Sequence, residues 1–592
     1  MANEFVFIYP KRRLDPARAR RAFFVERGRT PTPTEARVEP ATETANALRF
    51  FVPSIASGVF YVPCLSRREG LIFASTGTLA PSSVPRSLFL ELARGQLARL
   101  LRKRFEWGTL GLDISRALRA TIRRETRRFA ALATADRSAS EFEEECFAAF
   151  ESLRATCSRL NDVFLEQASE ARRDGAFERS TAFGFAAGAS AFRGGKNPFV
   201  DPTRSGARRR FRAAFDVFNP TISWADVERR SGAFDWTAFD RALAFAEKRG
   251  LRTTFGPLTR WNLETTPRRL VGRSDSEIAE AFLRFVEAAV ERAAGRVRRW
   301  VVSTNVERSD FAPSSETRFA TVEEAARRIR RIDSNAEAFL GFESPFGDAG
   351  LFDRSAAGAP WDVAYRFALR RAFDGFYLET NFGLSRLATA PRDPFELHRF
   401  FDRWAALGVP LSVAASFPSA NPKGPVPTLF STTAEAGWGR WFGRERRDGE
   451  RGVDYWLTAP PELEIDESFW SEKTQQENAR RFFLTAMARR SVDEAIWSRW
   501  DDVGSARDGD FSETASCEAT RNKKKGSVSS TRAEAPTSGL FDVDGRPKPA
   551  LCKLAALKRA YHDRRLDGET GENNENKKKT TTNDDRAERN ER

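Results

Sequence analysis

From about residue 180 to 563, eight short apolar runs alternate with segments of helical period, and this alternation constrains the fold more than any other feature. The runs are TAFGFAAG, FDVFNPTIS, LRTTFGPL, RRWVVSTN, EAFLGFE, DGFYLET, PLSVAAS and DEAIWSRW. Between them lie amphipathic segments such as DWTAFDRALAFAEKRG, DSEIAEAFLRFVEAAVERAAG and PFELHRFFDRWAALG. A strand that must return to the same edge through a helix can only pair in parallel. Eight such units predict an α/β fold, a (β/α)8 TIM barrel over 179–563, in preference to an open doubly wound sheet. No glycine-rich phosphate loop follows any run, which also disfavours a nucleotide-binding sheet.

The remaining segments read differently. Residues 1–87 alternate apolar runs (FVFIYP, GVFYVPC, GLIFASTG) with Pro and Gly breaks, predicting a β-rich module that could bind carbohydrate. Residues 88–178 change to helical spacing and predict a helical connector. The segment from DVGSARDGD to APTSG reads as a long polar loop, and 564–592 lacks the apolar content to fold and reads as a disordered tail.

Composition narrows the chemistry. No apolar run is long enough to span a bilayer. The first residues lack the order of a secretory signal, so the expectation is a cytoplasmic or unassigned location. Cys64, Cys146, Cys157, Cys517 and Cys552 have no paired ligand spacing and read as free buried thiols. Only His398 and His562 are present, which weighs against His-based zinc sites and a Ser-His-Asp triad; both read as helix-surface residues. No metal and no cofactor is expected. The net charge of +15 is interleaved with acids, as in TVEEAARRIRRIDSNAEAF, and reads as a solvated surface.

A filled barrel keeps its reacting groups at the carboxyl ends of the strands. Those ends carry Thr221-Ile222-Ser223-Trp224, then Arg260-Trp261-Asn262, then Asn305-Val306-Glu307, followed by Glu343 and Glu379-Thr380-Asn381; Trp497, Trp500 and Asp502 close the circle. Tryptophan beside amides and carboxylates suits sugar, because rings stack on indole and hydroxyls pair with polar groups. The candidate binding residues are Trp224, Trp261, Asn262, Asn305, Glu343, Asn381, Trp497 and Trp500; Trp300 reads as core.

Three stretches, SWADVERRSGAFDWTAFDRALAFAEKRGLRTTFGPLTRWN, RRWVVSTNVE and GLFDVDGRPKPALCKLAALKRAY, together resemble glycoside hydrolase family 10, the xylanase-type barrels. The resemblance covers 180–563, and GLFDVDGRPKPA is its most specific part. It implies retaining hydrolysis of β-1,4-xylan, with one glutamate after strand four as acid and base and another after strand seven as nucleophile, about 5 Å apart. The nucleophile position falls on Ala414, and the acid position on Asn305 unless a two-residue insertion brings in Glu307. The family's sugar-binding positions fall on Pro220, Ser223, Pro257, Asn262, Glu379 and Asn381.

An alanine forms no glycosyl ester, and Ser416 has no activating base beside it. The leading expectation is therefore a xylanase-like barrel, weak or inactive as a retaining hydrolase, that takes a polysaccharide or oligosaccharide. An alternative keeps it an active hydrolase with Glu307 and Glu379 as a displaced acid and base pair. A further alternative is a basic scaffold for acidic polymers, motivated by the charge and the RNKKKG loop. No membrane partner is expected, and nucleic acid is not expected either, since no basic stripe with interleaved aromatics stands out.

Overall fold

The computed structural model describes residues 3–10, 14, 19, 22–26, 33–40, 46–52, 57–66, 70–136, 141–174, 181–193, 214–228, 233–263, 265–309, 313–343, 345–347, 357–382, 392–420, 470–500, 502, 538–542 and 546–560. The RNKKKG loop, Cys517, His562 and the tail 564–592 lie outside these residues.

All eight apolar runs form strands. β9 (Ala182–Gly188), β10 (Val217–Thr221), β11 (Arg252–Phe255), β12 (Arg299–Ser303), β13 (Glu337–Glu343), β14 (Gly375–Asn381), β15 (Leu411–Ser416) and β16 (Val492–Trp497) pair in parallel, and β16 pairs back onto β9. The result is a closed (β/α)8 barrel. Six helices of ten or more residues lie between its described strands: Thr237–Glu247, Asp275–Ala293, Ser315–Ile332, Pro360–Leu369, Pro394–Ala405 and Glu472–Met487. Their buried stripes pack on the outward strand residues, among them Val413 and Ala415, in one continuous apolar shell.

Strand alternation fills the inside of the barrel in layers. At the bottom, Arg299 lies 3.9 Å over the Phe339 ring and pairs with Glu494 (3.1 Å) and Glu337 (2.6 Å). Above it, Asn219 donates to the carbonyls of Thr254 and Gly256 and accepts from the Tyr377 hydroxyl (3.0 Å). Ala186, Val301, Tyr377, Ala414 and Ile496 form a small apolar cluster of their own. The interior is a packed core up to the strand ends.

Eight strands precede the helices of the connector: β1 (Asn3–Ile8), β2 (Phe23–Glu26), β3 (Pro33–Glu35), β4 (Arg37–Pro40), β5 (Ala47–Val52), β6 (Gly58–Ser66), β7 (Gly70–Ser75) and β8 (Ser82–Ser87). They form two four-stranded sheets, β4-β5-β1-β8 and β3-β2-β6-β7. The period of two sorts the phenylalanines. Phe24, Phe60 and Ile72 belong to the module's own core with Phe5, Phe7 and Phe50, while Phe23, Tyr61 and Phe73 belong to the barrel's apolar shell.

Three helices follow: α1 (Leu88–Thr109), α2 (Arg116–Thr134) and α3 (Phe142–Asp174). Ser87 and Ser115 cap the first two by accepting from backbone N–H groups three residues on. α3 holds the barrel through Asp162, which pairs with Arg480 (2.7 Å) and Arg481 (2.8 Å), and through Arg172, which donates to the carbonyls of Met487 and Arg489.

His398 is not on a surface. It is buried between Trp107, Phe164 and the barrel, with Asn161 Oδ1 at 2.7 Å from Nε2 and Arg489 Nη2 at 3.0 Å from Nδ1. Arg489 can only donate, so Nδ1 accepts and Nε2 carries the proton. Burial, then the Arg489 and Lys103 charges, push its pKa well below the ordinary histidine value. Cys64, Cys146 and Cys157 are buried thiols, and Cys552 is a half-buried one.

Candidate functional site at the barrel mouth

The strand ends converge on one guanidinium. The loop after β11 carries Thr259, whose backbone bridges to Ser303 of β12, and this sets the next residue, Arg260, over the barrel axis. Arg260 Nη1 donates to Glu379 Oε2 at 2.9 Å and to Thr304 Oγ1 at 3.3 Å, and stands 3.5 Å from Glu343 Oε2. Asn305 Nδ2 donates to the same Glu343 oxygen at 2.6 Å, from a backbone in the left-handed region (φ 58°) that asparagine tolerates better than most residues. Asn381 Nδ2 donates to Glu379 Oε1 at 2.9 Å, and Ser416 Oγ donates to Asn381 Oδ1 at 2.9 Å. Four of the expected residues, Asn305, Glu343, Glu379 and Asn381, are thus one connected polar layer.

Arg260 organises this layer and was not singled out in the sequence, where it is one arginine among many. The signal that could have found it is position: a cation at a strand end facing two strand-end glutamates on neighbouring strands. Burial alone would raise the Glu379 pKa; the Arg260 charge and the hydrogen bonds from Arg260 and Asn381 bring it below the ordinary glutamate value. Glu379 is therefore an anion held in an ion pair.

Glu307 stands outside this layer but beside it, linked through Arg308, which donates to Asn305 Oδ1 at 3.2 Å and to the Glu343 carbonyl at 3.3 Å. Glu307 is 1 % exposed, neither carboxylate oxygen has a hydrogen-bond partner among the described residues, and Arg308 Nε stands 3.6 Å from Oε1. Behind it, Arg318 of the helix Ser315–Ile332 donates to the Val306 carbonyl. Burial, only partly offset by Arg308, raises its pKa. Glu307 and Glu379 share no hydrogen-bond or ion-pair partner among the described residues.

The tryptophans are core. Trp224 is fully buried against Phe282 and Phe285, and its indole donates to Glu228 at 2.8 Å. Trp261 is fully buried against Phe282. Trp497 donates to the Ser538 carbonyl, and Trp500 packs on Phe185 and Phe541. None of the four presents a ring face to solvent, which corrects the expected sugar platform: a strand-end indole can as readily turn into the helix layer as into the mouth. Trp300 is core, against Phe255. Asn262 is spent locally, its Oδ1 accepting from the N–H and hydroxyl of Thr265.

In register, Glu343, Glu379, Ala414 and Ile496 form one row across β13 to β16. Ala414 therefore stands beside Glu379 on the inward face, fully buried, with its methyl in the apolar cluster below the mouth. Ser416, the other polar group of that strand end, donates to an amide and has no base against it.

Fold and mouth define a closed (β/α)8 barrel with two strand-end carboxylates, Glu343 and Glu379, gathered on one guanidinium. Among the solved structures it matches are xylanase 10B from Thermotoga maritima (15% identity over 67% of this chain and 98% of that one, TM-score 0.40) and a GH10 endoxylanase from a sugarcane soil metagenome (14% identity, 64% and 97%, TM-score 0.41). Xylanase 10B from Thermotoga petrophila, in complex with xylobiose, matches at 15% identity over 67% and 97%, with a TM-score of 0.40. These are likenesses at low identity; the strand order itself establishes the barrel. No protein-family profile and no curated protein matches the chain.

Proposed function

We propose that this chain is a xylanase-like barrel that binds a polyhydroxylated ligand at its mouth without performing retaining hydrolysis. The observation that carries this reading is the row Glu343–Glu379–Ala414: the strand-seven position next to Glu379 holds a methyl group buried in an apolar cluster. Retaining hydrolysis needs a second carboxylate about 5 Å from the acid, on the opposite side of the bond. Glu343 and Glu379 are close enough to share Arg260 Nη1, and Glu379, held as an anion by that guanidinium, has no proton to give a leaving group. What they offer is a fixed array of acceptors beside the amides of Asn305 and Asn381, the kind of group that orients hydroxyls. Reducing-sugar release from xylan, xylo-oligosaccharides and other β-glycans tests the first half, and calorimetric titration of the same sugars tests the second. No release together with binding that weakens in Asn381→Ala is the expected outcome; steady turnover overturns the reading.

One observation favours a second reading. The Glu307 carboxyl is displaced upward and that of Glu379 downward, the division expected of an acid and a base. It requires Glu307 to leave its buried position, and Glu379→Gln then abolishes activity on whichever glycan is cleaved.

A further inference from the structure

The helix α2 differs from the rest of the chain in the sign and exposure of its charge. It carries six arginines and a single acid, Glu125, which is buried. Its own buried stripe is narrow, Leu118, Ile122, Glu125 and Leu132, so Arg116, Arg119, Arg123, Arg124, Arg127 and Arg128 are all exposed. On the barrel helix Ser315–Ile332, by contrast, Arg328 is answered by Glu324 and Glu287. Among the described residues α2 makes two ion pairs, Arg119 with Asp113 and Arg124 with Glu125, at 3.5 and 3.6 Å.

The adjoining end of α1 exposes apolar side chains where a helix surface is normally polar. Leu101 is 37% exposed, Phe105 74% and Leu110 79%, three of the six large hydrophobic side chains exposed among the described residues. Leu101 and Phe105 are one turn apart on the same side of α1, and Leu110 caps it, one short turn before Arg116. Arg102, 59% exposed and 3.7 Å from the Glu106 carboxylate, lies beside them.

We infer that the α1–α2 face is a peripheral docking surface for an anionic lipid membrane. Arginines supply attraction to acidic headgroups, and leucine and phenylalanine enter the boundary between headgroups and acyl chains. A second copy of this chain is a poor occupant, because it would set one arginine helix against another. Nucleic acid would use the arginines and could stack on Phe105, but it leaves Leu101 and Leu110 exposed to water. Such docking needs no spanning segment, and no described helix is long and apolar enough to cross a membrane.

The test is co-flotation of the full chain with phosphatidylcholine vesicles containing phosphatidylserine, against phosphatidylcholine alone. Binding is expected only with phosphatidylserine and should fall as salt rises. Arg123→Glu combined with Arg127→Glu should lower the partition coefficient by roughly tenfold or more, given the attraction each basic residue gains near an acidic surface. Phe105→Ser should weaken vesicle binding severalfold without changing retention on heparin. All these positions are exposed, so unchanged thermal melting is the control. Failure to float with phosphatidylserine vesicles overturns the inference. So does binding to single-stranded RNA that matches vesicle binding and is equally sensitive to Phe105→Ser, which would assign the face to nucleic acid.

Discussion

Arg260 is the residue on which the mouth depends. Replacing it with methionine leaves Glu343 and Glu379 buried beside each other without their shared cation, which costs about 3 kcal/mol. Chemical denaturation should show that loss at pH 7, and the loss should shrink towards pH 4 as Glu379, no longer held down by the Arg260 charge, becomes free to protonate. Ala414→Glu tests the neighbouring position. The new carboxylate would enter the cluster of Tyr377, Val301 and Ile496 beside an ionised Glu379. The expected result is a destabilised protein without xylanase activity; restored hydrolysis would show that only one group is missing. His398 has the opposite sign of interest. Its folded pKa lies below the unfolded value of about 6.5, so the unfolded chain binds the extra proton and stability falls as pH drops below about 6.5. The melting temperature of the wild type should decline between pH 7.5 and 5.5 more steeply than that of His398→Gln.

At the level of elements, the eight barrel strands were legible because each is an apolar run bounded by helix-period segments, and their parallel order follows from that alternation. The direction of individual side chains was not. Trp224 and Trp261 stand at strand ends in the sequence, yet each ring turns into the layer packed on Phe282. His398 shows the same limit: helical periodicity gives a face, and only the docking of α3 shows that the face is covered. The polar layer of Asn305, Glu343, Glu379 and Asn381 was readable as a set of strand-end residues. Its central cation was not, because nothing in a local pattern separates Arg260 from the surrounding arginines. The motif GLFDVDGRPKPA is legible for a structural reason. Leu540 is fully buried, Phe541 packs on Trp500, and Lys548 pairs with Asp502 at 2.6 Å. These contacts hold the last strand in place irrespective of what the mouth can do chemically.

Across the whole molecule, the β-rich module and the barrel are joined through an aromatic face. Phe23 and Tyr61 stack at 4.7 Å, Phe73 packs edge-on to Phe23, and the Arg392 guanidinium lies 5.3 Å over Phe73 and 4.4 Å over Phe346 of the barrel. Tyr61 also donates to Glu396 at 3.0 Å. Phe23, Tyr61 and Phe73 of the module are therefore used against the barrel. Deleting residues 1–87 should expose this barrel face and give an aggregating product. In calorimetry the intact chain should unfold with module and barrel in a single transition; two separated transitions would mean the interface is weaker than its contacts imply.

The contacts made by residues 538–548 also govern when this protein can become itself. The Trp497 indole donates to Ser538, Gln475 donates to Gly539, and Lys548 reaches both Asp502 and Ser419. β16 must meanwhile find β9, the strand made first. During synthesis, a ribosome that has finished seven barrel strands holds an open sheet whose β9 and β15 edges are unpaired, and it stays open until β16 has emerged. The nascent chain is thus committed to a long interval of exposed edges, and its yield in a cell depends on whatever shields them.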